Sequence, residues 1–346
     1  MGNGEQRSKC RADSFSHPRP VRRDRQTLVM IHKIVLLVSL LLVGIAEGQT
    51  PAIIGGGYQD PSILSVAPGQ LLTLFVTGIG KHLSSKPLTA SAPLPLMLGG
   101  ITVTLHQSSA PGTVSAPISA AVLTSTCQSL RNTPCAGTTL AAITVQIPFE
   151  LAVGSPQDPS QRSEAILNIQ EDGVSSTDFL VAAVNSNIHF VTGAGPLALD
   201  YVSQASIHGA IVMHTDGNPV LPGLPAKPGE TLTVYGYGFG RPTDNVKTGE
   251  APQAANLVPL YGSVLFSSLL PASPGTASGN IASLDSLQYI SYVGVTPNSV
   301  GVYQMNFVVP PVPAGTPSCG GITDWNFMVT VGSSVGPRSF AFCVEP

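Results

Sequence analysis

Charge is scarce in this chain: Asp, Glu, Lys and Arg make up 10% of its 346 residues, and aromatic residues only 6%. With 36 glycines and 31 prolines, such a composition would describe a disordered chain if apolar residues were scarce too. They are not, because the hydrophobic fraction is 43%. Those residues fall in short β-branched runs separated by Gly/Pro turns, the pattern of an all-β protein. Past residue 48, no segment of ten or more residues shows helical periodicity. There is no C-x-x-C pair, no basic cluster and no apolar run of the roughly 20 residues that a bilayer-spanning helix takes. These gaps exclude the usual zinc-knuckle spacing, a nucleic-acid groove and a stable transmembrane helix.

The longest apolar run, Ile34 to Ile45, has about 12 residues and follows His32 and Lys33. Ala46-Glu47-Gly48 supplies small residues at the two positions that a signal peptidase reads. The segment 1–48 is thus expected to be a leader and cleavable signal peptide, cut after Gly48, which directs the chain to the periplasm or the outside. Met30 sits where such a signal starts, so residues 1–29 have the character of an upstream extension. From Gln49 onward there are 8 basic and 15 acidic residues, a formal charge of 8 − 15 = −7. A mature protein that acidic is a poor partner for nucleic acid.

Cys10 lies in the leader, leaving Cys127, Cys135, Cys319 and Cys343. An even count in an exported chain reads as disulfides. Three pairings exist on paper. Two cysteines fall in each half of the chain, which favours Cys127–Cys135 and Cys319–Cys343. The histidines His82, His106, His189, His208 and His214 are scattered, so neither metal nor cofactor is expected.

The chain repeats itself. Pro68-Gly-Gln-Leu-Leu-Thr-Leu-Phe-Val-Thr-Gly-Ile-Gly80 returns 160 positions later as Pro228-Gly-Glu-Thr-Leu-Thr-Val-Tyr-Gly-Tyr-Gly-Phe-Gly240, with six of thirteen positions identical. Ala142-Ile-Thr-Val-Gln-Ile-Pro148 likewise parallels Gln304-Met-Asn-Phe-Val-Val-Pro310. Each copy is followed by a strand–turn–strand pattern, at 165–170 and 179–184 and again at 326–331 and 340–344. Within the first repeat, alternation buries Leu72, Leu74 and Val76, and in its second copy Leu232 and Val234. The closing G-x-G marks a tight exit where a Cβ would clash. Further strands are expected at 101–106, 120–125, 208–213, 262–266, 288–293 and 303–309. Six or seven strands per half is the count of an immunoglobulin-like sandwich. The expected fold is therefore all-β, with two tandem immunoglobulin-like β-sandwich domains at 52–184 and 188–346.

The repeated P-G-x-x-(L/V)-T-(L/V)-x-x-x-G-(I/F)-G resembles the opening strand of immunoglobulin-like domains of the IPT/TIG type. Ala92-Pro-Leu-Pro-Leu-Met-Leu-Gly-Gly-Ile-Thr-Val-Thr104, Ile143-Thr-Val-Gln-Ile-Pro-Phe-Glu150 and His208-Gly-Ala-Ile-Val-Met-His-Thr-Asp-Gly217 are similar to a domain family of exported acidobacterial proteins. So are 226–235 and 301–310. The resemblance spans most of 60–345 and implies fold and export, with no substrate and no catalytic residues. The four cysteines depart from it.

Several motifs invite a chemical reading. Gly332-Ser-Ser-Val-Gly336 matches the G-x-S-x-G of a nucleophile elbow, which needs a following helix and a later histidine; here two strands flank it and no histidine follows, so a hairpin is expected. Gly236-Tyr-Gly-Phe-Gly240 lacks the spacing and the lysine of a nucleotide loop. Glu171-Asp172-Gly173 and Asp216-Gly217-Asn218 read as solvated turns rather than a carboxylate pair. No catalytic residue is assigned, and the protein is expected not to be an enzyme. It is expected to be an exported, non-catalytic binding or structural module, engaging polysaccharide or another cell-surface protein. The alternative is an extracellular enzyme or accessory domain whose site is built from loops. The candidate binding surface is Tyr235 and Tyr237, which share the strand face opposite Leu232 and Val234, with Leu71, Thr73, Phe75 and Thr77 as counterparts in the first copy. Packing against the other domain or the preceding segment is the competing role for these tyrosines.

Overall fold

The computed structural model describes residues 50–57, 64–108, 111–124, 140–155, 163–192, 210–269, 281–285, 287–319 and 325–345. The segment expected to be the signal peptide, the pair Cys127/Cys135 and His208 lie outside them. Alternating β-branched and polar residues with glycine at the bends give strands almost throughout. Among the described residues the only helical turn is a short 3-10 turn at Leu287–Tyr289.

The first half supplies β1 (Ala52–Gly56), β2 (Leu64–Val66), β3 (Leu71–Thr77), β4 (Leu88–Thr89), β5 (Met97–Leu98) and β6 (Ile101–His106). It continues with β7 (Thr113–Ser115), β8 (Ile118–Thr124), β9 (Leu140–Gln146), β10 (Ser163–Glu171), β11 (Val174–Ser175) and β12 (Phe179–Ala183). One sheet runs β1-β3-β9-β8-β4 and the other β2-β12-β10-β6-β5. The second half supplies β13 (His189–Phe190), β14 (Val212–Met213), β15 (Thr231–Tyr237), β16 (Asn256–Leu257) and β17 (Val264–Leu269). It closes with β18 (Ile281–Asp285), β19 (Ile290–Val295), β20 (Tyr303–Val308), β21 (Phe327–Val331) and β22 (Arg338–Phe342). These form the sheets β13-β15-β20-β19-β16 and β18-β17-β21-β22.

Both halves have the strand order of an immunoglobulin domain, in which A, B, E and D share one sheet and C, F and G the other. In the first, β3, β9 and β8 take the roles of B, E and D, while β6, β10 and β12 take C, F and G. In the second, β15, β20 and β19 face β17, β21 and β22. The chain also changes sheets early in each copy. Thus β2 pairs β12 in parallel, and Ala226 bridges Val344 in parallel. The sequence repeat is therefore a repeat of equivalent strands: β3 with β15, and β9 with β20. The protein is all-β, with two tandem immunoglobulin-like sandwiches.

Leu72, Leu74 and Val76 are fully buried, as the alternation requires, and so are Leu232 and Val234. The first core is aliphatic, with Ile143 and Val145 meeting Val103, Leu105, Leu167 and Ile169. The second is built on rings, including Phe266, Phe307, Phe327 and Phe340. Neighbouring rings there meet at centroid separations of 5.7 to 6.4 Å, within the favourable range for aromatic pairs.

Several expected elements shift. The strand expected at 208–213 is confined, among the described residues, to Val212–Met213, and the one at 288–293 begins at Ile290 after the 3-10 turn. The outer face of β3 is also buried, at 9% exposure for Leu71, 3% for Thr73 and 4% for Phe75. Phe75 packs with Leu140 and Ala142 there. The first copy therefore offers no open counterpart to the face of β15.

Candidate functional site

The G-x-G that ends each opening strand is a device of identical geometry in the two copies. Gly78 and Gly80 have φ of 75° and 111°, and Gly238 and Gly240 have 73° and 108°. All four lie in the region where a Cβ is strained. The copies differ in what they hold. In the first, the Glu171 carboxylate is 2% exposed and accepts bonds from Gly80 N (3.0 Å) and Lys81 N (2.9 Å). The expectation of a solvated turn is thus corrected for Glu171, which closes its own domain's strand exit. It holds for Asp172, whose φ of 51° with 85° at Gly173 makes a tight two-residue hairpin turn.

In the second copy the equivalent exit meets the first domain. The connection Asn185-Ser186-Asn187 is buried, at 1–2% exposure, where linkers are ordinarily solvated. Asn187 N donates to Gly238 O (2.7 Å), and its side-chain amide donates to Ser65 O (2.8 Å). The Tyr303 hydroxyl, on β20, has one proton to share between Gly240 O (2.8 Å) and Pro68 O (3.2 Å), one from each domain. Burial pushes this phenol far above its ordinary pKa, so it stays a donor. Its ring stacks on Phe239 at 5.6 Å.

The loop after Gly240 extends the junction. Arg241 donates from Nε to Phe149 O (2.8 Å) and from its guanidinium to Leu151 O (2.9 Å). Thr248 Oγ1 donates to Glu150 Oε2 and accepts from Phe149 N, and Gly249 N donates to Gln146 Oε1. Gln49–Pro346 accordingly pack as one unit.

Gly332-Ser-Ser-Val-Gly336 is the hairpin between β21 and β22, closed by Gly336 N to Ser333 O (3.0 Å). Ser334, at the nucleophile's place in the pattern, exchanges bonds with Ser186 of the connection (3.1 and 3.2 Å). It thereby serves the junction.

The two candidate tyrosines part company. Tyr237 is 6% exposed, paired across from His189 on β13, so it takes the packing role and leaves the proposed platform. Tyr235 remains half-buried on the outer face opposite Gln304. Beside it runs a polar ladder: Thr233 Oγ1 and Gln304 Nε2 both donate to Asn306 Oδ1 (3.1 and 2.9 Å). The same rungs in the first domain are Thr73 and Thr144, whose hydroxyls lie 2.9 Å apart. His189 bonds Asn187 Oδ1 at 3.0 Å; the protein around it, and secondarily Arg338, push its pKa down to about 3, so it is neutral.

Among the described residues, no three His, Cys, Asp or Glu side chains gather in a way that would hold a metal ion. No helix among them is long and apolar enough to cross a membrane. Cys319 and Cys343 are bonded, with Cα atoms 5.8 Å apart across a separation of 24 residues. Replacing both by alanine is expected to lower stability by about 3.5 kcal/mol on the loop-entropy relation. Non-reducing peptide mapping of exported protein should recover this pair, together with an N-terminus at Gln49.

No protein-family profile matches the chain, and no curated protein matches its sequence. Among solved structures, the chain is similar to a chimeric titin Z1Z2 tandem, at 11% identity over 86% of this chain and 100% of that one, with a TM-score of 0.17. It is also similar to the AgI/II polypeptide BspA C-terminal domain of Streptococcus agalactiae (9% identity, 86% and 99% covered, TM-score 0.17). The tandem Ig repeats of Dlar follow (9% identity, 85% and 97% covered, TM-score 0.16). At these scores the fold assignment rests on strand order rather than on the likeness.

Proposed function

We propose that this chain is an exported, non-catalytic module of two immunoglobulin-like domains, divided at the Val184–Ile188 connection and held as one stiff unit that presents a binding face. The carrying observation is the buried junction. A connection with all three residues buried, and a phenol shared between carbonyls of both domains, fixes the angle between sandwiches that are commonly hinged. A spacer or presenting role needs that stiffness. The resemblance of the repeated strand motif to IPT/TIG-type domains, and of segments such as Ala92–Thr104 and Ile143–Glu150 to a domain family of exported acidobacterial proteins, agrees with this role.

The face we assign to binding is the outer side of β15 and β20, centred on Tyr235 with Thr233, Gln304 and Asn306. A partly exposed ring beside amide and hydroxyl groups on a sheet face suits stacking on a sugar with hydrogen bonds to its hydroxyls. A glycan array with the exported protein, run beside a generic hydrolase screen, tests both halves of the proposal. Binding without hydrolysis is the expected result. Tyr235→Ala should abolish the binding and, because the side chain is only half-buried, change stability by no more than about 1 kcal/mol. Hydrolysis by the wild type, or glycan binding untouched by Tyr235→Ala, would reject the assignment.

A further inference from the structure

His214 sits where the chain leaves β14 and crosses towards the opposite sheet, which it joins at Ala226. Its ring is almost enclosed, with 9% of the side chain exposed. Nδ1 lies 2.5 Å from Glu230 Oε1 and Nε2 lies 3.2 Å from Leu224 O. An ionised carboxylate and a carbonyl are both acceptors only, so serving the two together takes a proton on each ring nitrogen. Glu230 is anchored in turn, since its other oxygen accepts from Lys227 N at 2.9 Å. The first domain uses the same turn device, where Gln70 Oε1 accepts from Ala67 N at 2.9 Å. Nothing there corresponds to the histidine.

We infer that His214 is the pin of a pH-sensitive clasp: as imidazolium it ties the crossing segment 214–226 to the Pro228-Gly229-Glu230 turn, and as neutral imidazole it releases one of the two ties. The charged groups around it favour the closed form. Burial is the largest single influence and opposes charge on the ring. The hydrogen bonds to Glu230 and to Leu224 O, with the carboxylates of Glu230 and Asp216, outweigh it, and the ring's pKa is raised. Lys227, the nearby cation, directs its ammonium towards Glu345 at 3.9 Å. A group whose pKa is higher folded than unfolded stabilises fully below its unfolded value, about 6.5 for histidine. That contribution is lost as pH rises through the folded value, so the clasp is closed in mild acid and opens in alkali.

The test follows ring nitrogen signals and amide exchange in the exported protein from pH 5 to 9, with exchange corrected for its intrinsic pH dependence. Protection over 214–226 is expected to fall about ten-fold in step with the titration of His214, whose midpoint lies above that of a free histidine. Glu230→Gln keeps the cap on Lys227 N, as Gln70 shows, while removing the carboxylate. It should move both the midpoint and the loss of protection to lower pH. His214→Gln should leave protection low and independent of pH. Protection that stays flat through the titration, a His214 midpoint at or below the free value, or pH dependence surviving in His214→Gln would overturn the clasp.

Discussion

Tyr303→Ala is expected to be among the most damaging single changes in the protein, lowering stability by about 3–5 kcal/mol, the usual cost of emptying a large buried aromatic site. The side chain is fully buried and stacked on Phe239, and its hydroxyl serves Gly240 O and Pro68 O. Tyr303→Phe isolates the polar part. It keeps the ring but leaves desolvated carbonyls at the junction without their donor, at a cost of about 1–3 kcal/mol. Because one of those carbonyls belongs to each domain, the calorimetric trace should also change form. Wild type is expected to melt in one transition, and Tyr303→Ala in two, as the sandwiches uncouple. A single unshifted transition in Tyr303→Ala would remove the junction from the account of this protein.

Gly238→Ala is the second. At φ 73° any side chain is strained, and the added Cβ would run into the carbonyl oxygen of Asn187, well inside van der Waals contact. That carbonyl belongs to a peptide chain held by Asn187 N to Gly238 O and by the side-chain amide to Ser65 O, so it has little freedom to retreat. Backbone strain and overpacking together cost about 3–5 kcal/mol. Gly229→Ala is the internal control: its φ is 82°, yet nothing lies within 4 Å of the new Cβ. Only the left-handed penalty of about 1–2 kcal/mol applies there. Denaturant titration of the two variants separates conformation from crowding. Equal losses would show that the approach of Asn187 to Gly238 carries no strain.

The parts of this fold legible in the sequence were those whose cause is local. The alternation at Leu72-Leu74-Val76 and Leu232-Val234 located β3 and β15, and G-x-G located their exits. The match of 142–148 to 304–310 aligned β9 with β20. Strands of two or three residues such as β4, β5 and β16 have too few positions to show a period. The junction was hidden for a different reason. Its bonds join residues 51 to 235 positions apart, from Asn187 with Gly238 to Tyr303 with Pro68, and no spacing rule reaches that far. Glu171 likewise looked like a hairpin residue because its partners, Gly80 and Lys81, lie some 90 positions upstream. One signal was present in the aligned repeats. The turn Ala67-Pro68-Gly69-Gln70 is uncharged, whereas Lys227-Pro228-Gly229-Glu230 carries two charges. The first is buried at the junction, and the second faces water.

That difference at one turn gives the pair a direction. Two sandwiches of the same strand order are not interchangeable parts. If two second domains were fused head to tail, Lys227 and Glu230 would be driven into the space that the uncharged Ala67 and Gln70 fill, and burying those charges carries a desolvation cost that the neutral turn avoids. Two first domains would lack a tyrosine at the matching place, since Ala141 stands where Tyr303 does. The natural sequence of first then second places the uncharged turn and the tyrosine together at the joint, so the order of the domains is favoured by their chemistry and not merely by the chain that links them.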